Sequence, residues 1–196
     1  MFQLPVPTVR REPIVSWRGS FNDEEISKIK DLVELQEFKE GSLGFQNNNH
    51  LDKKVRDSNV SFLKVDEHSR WLYEKISNLI SRVNYDKFGL NLSYMEEIQI
   101  TKYTVDQHYD WHMDTYNNGS IHDRKLSMSL LLSSPEEDFE GGELCIVNQG
   151  RIHEPVVLNP IKGECIFFQS FNPHKVNPIT KGERLSLVAW SVGEYV

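Results

Sequence analysis

The residues best suited to chemistry lie in one short stretch, His108-Tyr109-Asp110-Trp111-His112-Met113-Asp114. Side chains alternate along a strand, so His112 and Asp114 would share one face, an imidazole beside a carboxylate. That pair alone reads equally well as a polar surface strand. His174 supplies a third ligand; it follows the apolar run Cys165-Ile166-Phe167-Phe168 and precedes a second, Leu185-Ser186-Leu187-Val188-Ala189-Trp190. Two histidines and one carboxylate on one side of a metal leave positions open and suit Fe(II). The same three with a water would also hold zinc. His108 and Asp110 have the parity of His112 and Asp114. A His-x-x-x-His zinc pair, however, works through helical geometry and wants a Glu after the first His. Here Tyr109 follows His108 in a strand-like run, so His108 is expected to be exposed or to face a substrate.

Arg184 stands ten residues after His174. Alternation places it with Ser186, Val188 and Trp190, opposite Leu185, Leu187 and Ala189. An arginine among apolar neighbours needs an anion. A dicarboxylate gripped bidentately would satisfy it, as would an internal Asp or Glu. The expected setting is a hairpin over 174–190 whose second strand, carrying Arg184, pairs with the strand of His174.

The elements that must position these groups divide the chain. Residues 13–18 suggest a short strand. Asn22 with Glu25 three residues on resembles a capping box, Phe21 can staple to Ile26, and Ile26, Ile29, Leu32 and Val33 recur at helical spacing. Residues 39–56, rich in Gly and Asn, read as a long surface loop. A strand near 58–65 follows. Asp66 is the expected cap of a second helix whose apolar face is Trp71, Leu72, Ile76, Leu79, Ile80 and Val83. From residue 92 the period is two. Leu126, Met128, Leu130 and Leu132 alternate with Ser127, Ser129 and Ser133, and strands are expected at 143–148, 154–158, 164–169 and 183–192. Residues 115–125 are expected to form a loop at the pocket mouth. Helical support over about 20–90 and a strand-rich core over about 92–194 make an α+β, mainly β, single domain.

The 196 residues carry a net charge of −7 and a pI near 5.5, so bulk charge does not point to nucleic acid or an anionic membrane. No apolar run approaches the roughly 20 residues of a spanning helix. The N-terminal residues lack the apolar core of a secretory signal. A cytoplasmic protein with no membrane or nucleic-acid partner is expected. Cys145 and Cys165, each inside an apolar run, read as buried thiols.

His112-x-Asp114, the distal His174 and Arg184 at plus ten resemble the Fe(II)- and 2-oxoglutarate-dependent dioxygenases, and within them the prolyl 4-hydroxylase-like family. Tyr109 three before His112, Tyr103 nine before it, Gly141-Gly142-Glu143-Leu144, Val176, Trp190 and Arg56-x-Ser58 match further positions of that pattern. The resemblance covers residues 56–192. It implies a double-stranded β-helix, or jelly roll, with N-terminal helices packed on one sheet. It implies Fe(II), 2-oxoglutarate and O2, with ascorbate as a candidate helper. His112, Asp114 and His174 would be the metal ligands. Arg184, Tyr103 and Ser186 would hold the co-substrate, and Arg56, Tyr109 and Trp190 would border the substrate. The implied reaction hydroxylates a C–H bond, with a prolyl residue of a peptide or protein as the expected substrate and a free amino acid or other small molecule as the alternative. A non-catalytic cupin-like barrel or a zinc hydrolase would keep the three ligands but has no need of Arg184. The chain departs from the family in carrying Arg184 where many prolyl hydroxylases have lysine, and Leu131 where one branch has a tyrosine. The oligomeric state is not legible in the sequence.

Overall fold

The computed structural model describes residues 12–43, 50–115, 122–148 and 154–194. Among the described residues two α-helices, α1 (Asp23–Glu34) and α2 (Arg70–Val83), the second running on into a π-helical turn over Asn84–Phe88, accompany fifteen strands. The strands are β1 (Ile14–Trp17), β2 (Lys39–Glu40), β3 (Arg56–Asp57), β4 (Asn59–Leu63), β5 (Tyr94–Met95), β6 (Ile98–Tyr103), β7 (His108–His112) and β8 (His122–Leu131). The rest are β9 (Phe139–Gly141), β10 (Leu144–Ile146), β11 (Val156–Leu158), β12 (Cys165–Gln169), β13 (His174–Val176), β14 (Ile179–Gly182) and β15 (Arg184–Glu194). The major sheet runs β1-β12-β8-β15-β6-β4-β2, with β5 on β15, and the minor sheet runs β11-β10-β13-β7-β3. A short ribbon, β14-β9, closes one end. This is the double-stranded β-helix expected.

The alternation in β8 and β15 explains how the sheet is used. Leu126, Met128, Leu130, Leu185, Leu187 and Ala189 are buried against Ile26, Ile29 and Val33 of α1 and Leu72, Ile76, Ile80 and Val83 of α2. The helices therefore cover the outer face of the major sheet. The serines between those leucines turn to the inside of the barrel. Ser127 is fully buried, and Ser129, Ser186 and Val188 line the barrel cavity. A second, smaller core of Tyr103, Leu131, Phe139, Leu144, Ile146, Ile166, Phe168, Val176 and Ile179 fills the barrel below that cavity.

Local signals act as read at α1. Glu25 N–H donates to Asn22 Oδ1 (2.9 Å) and Asn22 N–H donates to Glu25 Oε2 (3.0 Å), a complete capping box. At α2 the cap is displaced. Ser69 is the N-cap residue and makes no side-chain cap bond. Asp66 instead accepts the Ser69 and His68 N–H groups and closes the turn that leads into the helix. Its carboxylate serves the orphan donors one turn early.

Three expectations are corrected. The 39–56 stretch is not all loop: it contains β2, pairs Leu43 with His50 and ends in β3, while 44–49 lie outside the described residues. Of the 115–125 loop, 122–125 belong to β8 and 116–121 lie outside the described residues. The strands of His174 and Arg184 do not pair. β13 lies in the minor sheet between β10 and β7, and β15 in the major sheet between β8 and β6, so the two groups face each other across the barrel. No helix among the described residues is long and apolar enough to cross a membrane.

Candidate metal and anion site

His112 ends β7, and Asp114 lies just beyond that strand rather than on it, where its N–H donates to Ser170 O (2.9 Å). His174 opens β13, paired directly with His112. The ligand atoms of the three residues all lie within 4.8 Å of one another. His112 Nε2 is 3.8 Å from Asp114 Oδ1, and His174 Nε2 is 3.5 Å from Asp114 Oδ2. Both histidines are oriented from behind: His112 Nδ1 donates to Asp110 O (2.8 Å) and His174 Nδ1 to Asn172 O (3.0 Å). A carbonyl can only accept, so each Nδ1 carries a proton and each Nε2 faces the carboxylate. Ser127 Oγ donates to Asp114 Oδ2 (2.7 Å) and meets Ser170 Oγ at 2.9 Å. Such outer partners fix ligand orientation in metal sites.

Burial, and then the neighbouring His174, push the His112 pKa down to about 3. Burial alone would raise Asp114, but His174, His112, Ser127 and Trp190 together hold it below the usual carboxylate range. A neutral His112 and an ionised Asp114 are in the protonation states a divalent metal requires of its ligands. The donor set therefore fits Fe(II). Among the described residues His108 and Asp110 do not join it. His108 turns its ring nitrogens to the carbonyls of Asp106 and Lys54.

Across a cavity of about 610 Å³, β15 presents Arg184, Ser186, Val188 and Trp190, the face that alternation assigns to them. Arg184 is 2% exposed. Its Nη1 donates to Ser186 Oγ (3.1 Å), its guanidinium lies 5.9 Å from the Tyr103 ring, and no carboxylate among the described residues pairs with it. Burial lowers its pKa, opposed by Tyr103. A buried guanidinium without a counter-charge is costly unless an anion comes to it. Tyr103 sits opposite Arg184 in the β6–β15 register, and Leu131 falls opposite Ser186 from β8. The residues thus fit a small dicarboxylate.

The remaining expected residues also reach the cavity: Arg56, Tyr109 and Trp190 all line it. Sequence reasoning missed Arg124 and Glu96. The Arg124 guanidinium lies 3.7 Å from the Trp190 ring centroid and donates through Nε (3.1 Å) and Nη2 (2.7 Å) to Glu96 Oε2. The β8–β15 register shifts here, with Leu126 opposite Ser191 but Arg124 opposite Val192. That extra residue at Lys125 reverses the parity by which Arg124 would have been placed outside.

A jelly roll that closes two histidines, a carboxylate and an unneutralised arginine around one cavity could hold a metal ion with an anion beside it. Comparison with known proteins agrees. The family described as the 2OG-Fe(II) oxygenase superfamily matches residues 98–192, the strand-rich part of the chain. A PKHD-type hydroxylase of Acaryochloris marina is 25% identical over 85% of this chain and 72% of its own. One of Alteromonas mediterranea is 34% identical over 45% of this chain and 40% of its own length, so the match to that relative spans well under two thirds of it. Among solved structures, a Trichoplax adhaerens prolyl hydroxylase bound to a hypoxia inducible factor peptide fragment superposes with a TM-score of 0.75 at 19% identity. That match covers 91% of this chain and 83% of the other. A Pseudomonas putida prolyl-4-hydroxylase gives 0.71 at 18% identity, covering 94% of both chains.

Proposed function

We propose that the protein is an Fe(II)- and 2-oxoglutarate-dependent hydroxylase acting on a prolyl residue within a peptide or protein, with residues 1–196 forming one catalytic domain. The observation that carries the reading is Arg184, a buried cation with no internal counter-charge, facing the His112/Asp114/His174 cluster across one cavity. The names of the similar proteins support the prolyl substrate.

His112, Asp114 and His174 would hold the iron, their orientation fixed by Asp110 O, Asn172 O and Ser127. Bound there, Fe(II) supplies activation of dioxygen coupled to oxidative decarboxylation of 2-oxoglutarate, yielding succinate and carbon dioxide. Arg184 and Ser186 would grip the far carboxylate, with the Tyr103 hydroxyl beside them, and so aim the 2-oxo end at the metal. Trp190 and Arg124, stacked on each other, and the edge of Tyr109 would wall a small ring-shaped side chain, while Leu144, Val176 and Phe168 keep water from that side of the cavity.

The test follows the charge-transfer band as apo-protein receives Fe(II) and then 2-oxoglutarate without oxygen, with His174→Ala alongside. Proline-containing peptides and free proline are then assayed for succinate release matched to one added oxygen. The expected result is a band in the wild type, none in the variant, and coupled turnover on peptide alone. Turnover on the free amino acid only, or zinc binding with no response to 2-oxoglutarate, would overturn the proposal.

A further inference from the structure

β7 carries one residue more than the strand beside it. Val176 of β13 faces Tyr109 and His174 faces His112, so three steps in β7 span two in β13. Strict alternation would send Tyr109 and His112 to opposite faces; the bulge puts them on the same one. The consequence is a parallel stack, with ring centroids 3.4 Å apart and planes 8° apart. On the far side of Tyr109 lies Arg56, its guanidinium 4.6 Å from the ring centroid, set there by the register of β3, where Arg56 pairs with Tyr109. His112 is bounded on its other side by His174, at 4.1 Å.

Arg56 is itself held. Nε donates to Ser58 Oγ (3.0 Å) and Nη1 to Ser42 O (2.9 Å). The chain after β2 straps across it, fastened by Gly41 N–H donating to Ser58 O (2.8 Å). The strap fits because residue 41 is glycine: a Cβ there would stand 2.6 Å from Arg56 Nε and 2.5 Å from Ser58 Oγ. Two of the three guanidinium nitrogens and one of its faces are thus spent inside the fold.

We propose that Arg56 is a positioning residue for the metal centre. The strap over 41–43 locks Arg56, Arg56 presses Tyr109, and Tyr109 holds the His112 imidazole in the plane from which Nε2 meets the ion. This rests on reading His112, Asp114 and His174 as metal ligands. It differs from the substrate-border role expected of Arg56, because it acts before any substrate arrives.

The test is Co(II) binding to apo-protein with neither 2-oxoglutarate nor substrate present, read as affinity and as the d–d absorption band. Loss of an outer partner of a metal ligand costs roughly 10- to 100-fold in affinity. Arg56→Gln and Tyr109→Leu are expected to weaken Co(II) by about 10-fold at the low end of that range and to shift the band. Tyr109→Phe keeps the ring and is expected to stay within about twofold, since a stack needs the face and not the hydroxyl. If Arg56→Gln binds Co(II) as the wild type does and only the KM for peptide rises, Arg56 is a substrate contact and the proposal falls. If Arg56→Gln does not fold, the Tyr109 pair decides, because equal affinities for Tyr109→Phe and Tyr109→Leu would also overturn it. A wild type that takes no Co(II), with Arg56 still stacked on Tyr109, removes the ligand reading itself and the proposal with it.

Discussion

A guanidinium deep in a barrel costs several kcal/mol when it faces no anion, and Arg184 is such a group, one that a dicarboxylate would satisfy. Hydrogen bonds to charged partners are worth about 1.5–3 kcal/mol each. Arg184→Gln is therefore expected to raise the Kd for 2-oxoglutarate by roughly 10- to 100-fold while Co(II) affinity is unchanged, which calorimetry on the two ligands would read separately. The histidine opposite predicts a pH effect. Burial, then His174, hold His112 at about 3 in the folded apo-protein, against an ordinary value of 6.5. Between those values the unfolded chain binds a proton that the folded chain refuses. Stability is therefore full above the ordinary value and declines as pH falls through that window, by up to about 1.4 kcal/mol per pH unit. Asp114, shifted below 3.8, adds a further loss at lower pH with the same sign. Thermal melts of metal-stripped protein are expected to be flat above about pH 7 and to fall below about pH 6.5, and His112→Gln is expected to flatten that slope.

At the scale of elements, α1 is held by its capping box and by Glu25 pairing with Lys75 of α2. Replacing Asn22 with Ala is expected to cost about 1 kcal/mol, seen as a lower urea midpoint with 2-oxoglutarate binding intact. The β9–β10 turn predicts the opposite pattern. Gly142 has φ +66°, and a Cβ there would stand 2.9 Å from Arg184 Cδ and 2.5 Å from Ile179 Cδ1. Gly142→Ala is expected to weaken 2-oxoglutarate binding more than Co(II) binding, because it displaces the arginine stem. Much of this was legible beforehand. Period-two leucines marked β8 and β15, and parity put Arg184, Ser186, Val188 and Trp190 on one face, the face that lines the cavity. What alternation could not show were its own interruptions. Bulges turn Arg124 inward and bring Tyr109 over His112, and a one-residue insertion leaves no mark in a pattern read by parity. Nor could spacing alone show that His174 and Arg184 belong to different sheets, since a short hairpin and a crossover between sheets use the same turn residues, Asn177-Pro178 and Lys181-Gly182.

At the scale of the whole molecule, the main core lies outside the barrel, between the major sheet and the two helices, while the chemistry lies inside it. Neighbouring residues of one strand therefore answer to different demands. Leu130→Ala, at a fully buried position against the helices, is expected to cost about 2–5 kcal/mol of stability. Ser129→Ala, one residue earlier and lining the cavity, is expected to change stability by less than about 0.5 kcal/mol and to register in the KM for 2-oxoglutarate or substrate; urea unfolding and steady-state kinetics separate the two. The register rows Val60-Thr101-Ser186-Leu131 and Phe62-Gln99-Val188-Ser129 run across the inner wall like rungs. Selection can redecorate those rungs without renegotiating what keeps the chain folded. Diversifying Gln99, Thr101, Ser129 and Val188 together would yield a collection of mostly intact barrels with altered appetites, a lineage able to change its diet while keeping its skeleton.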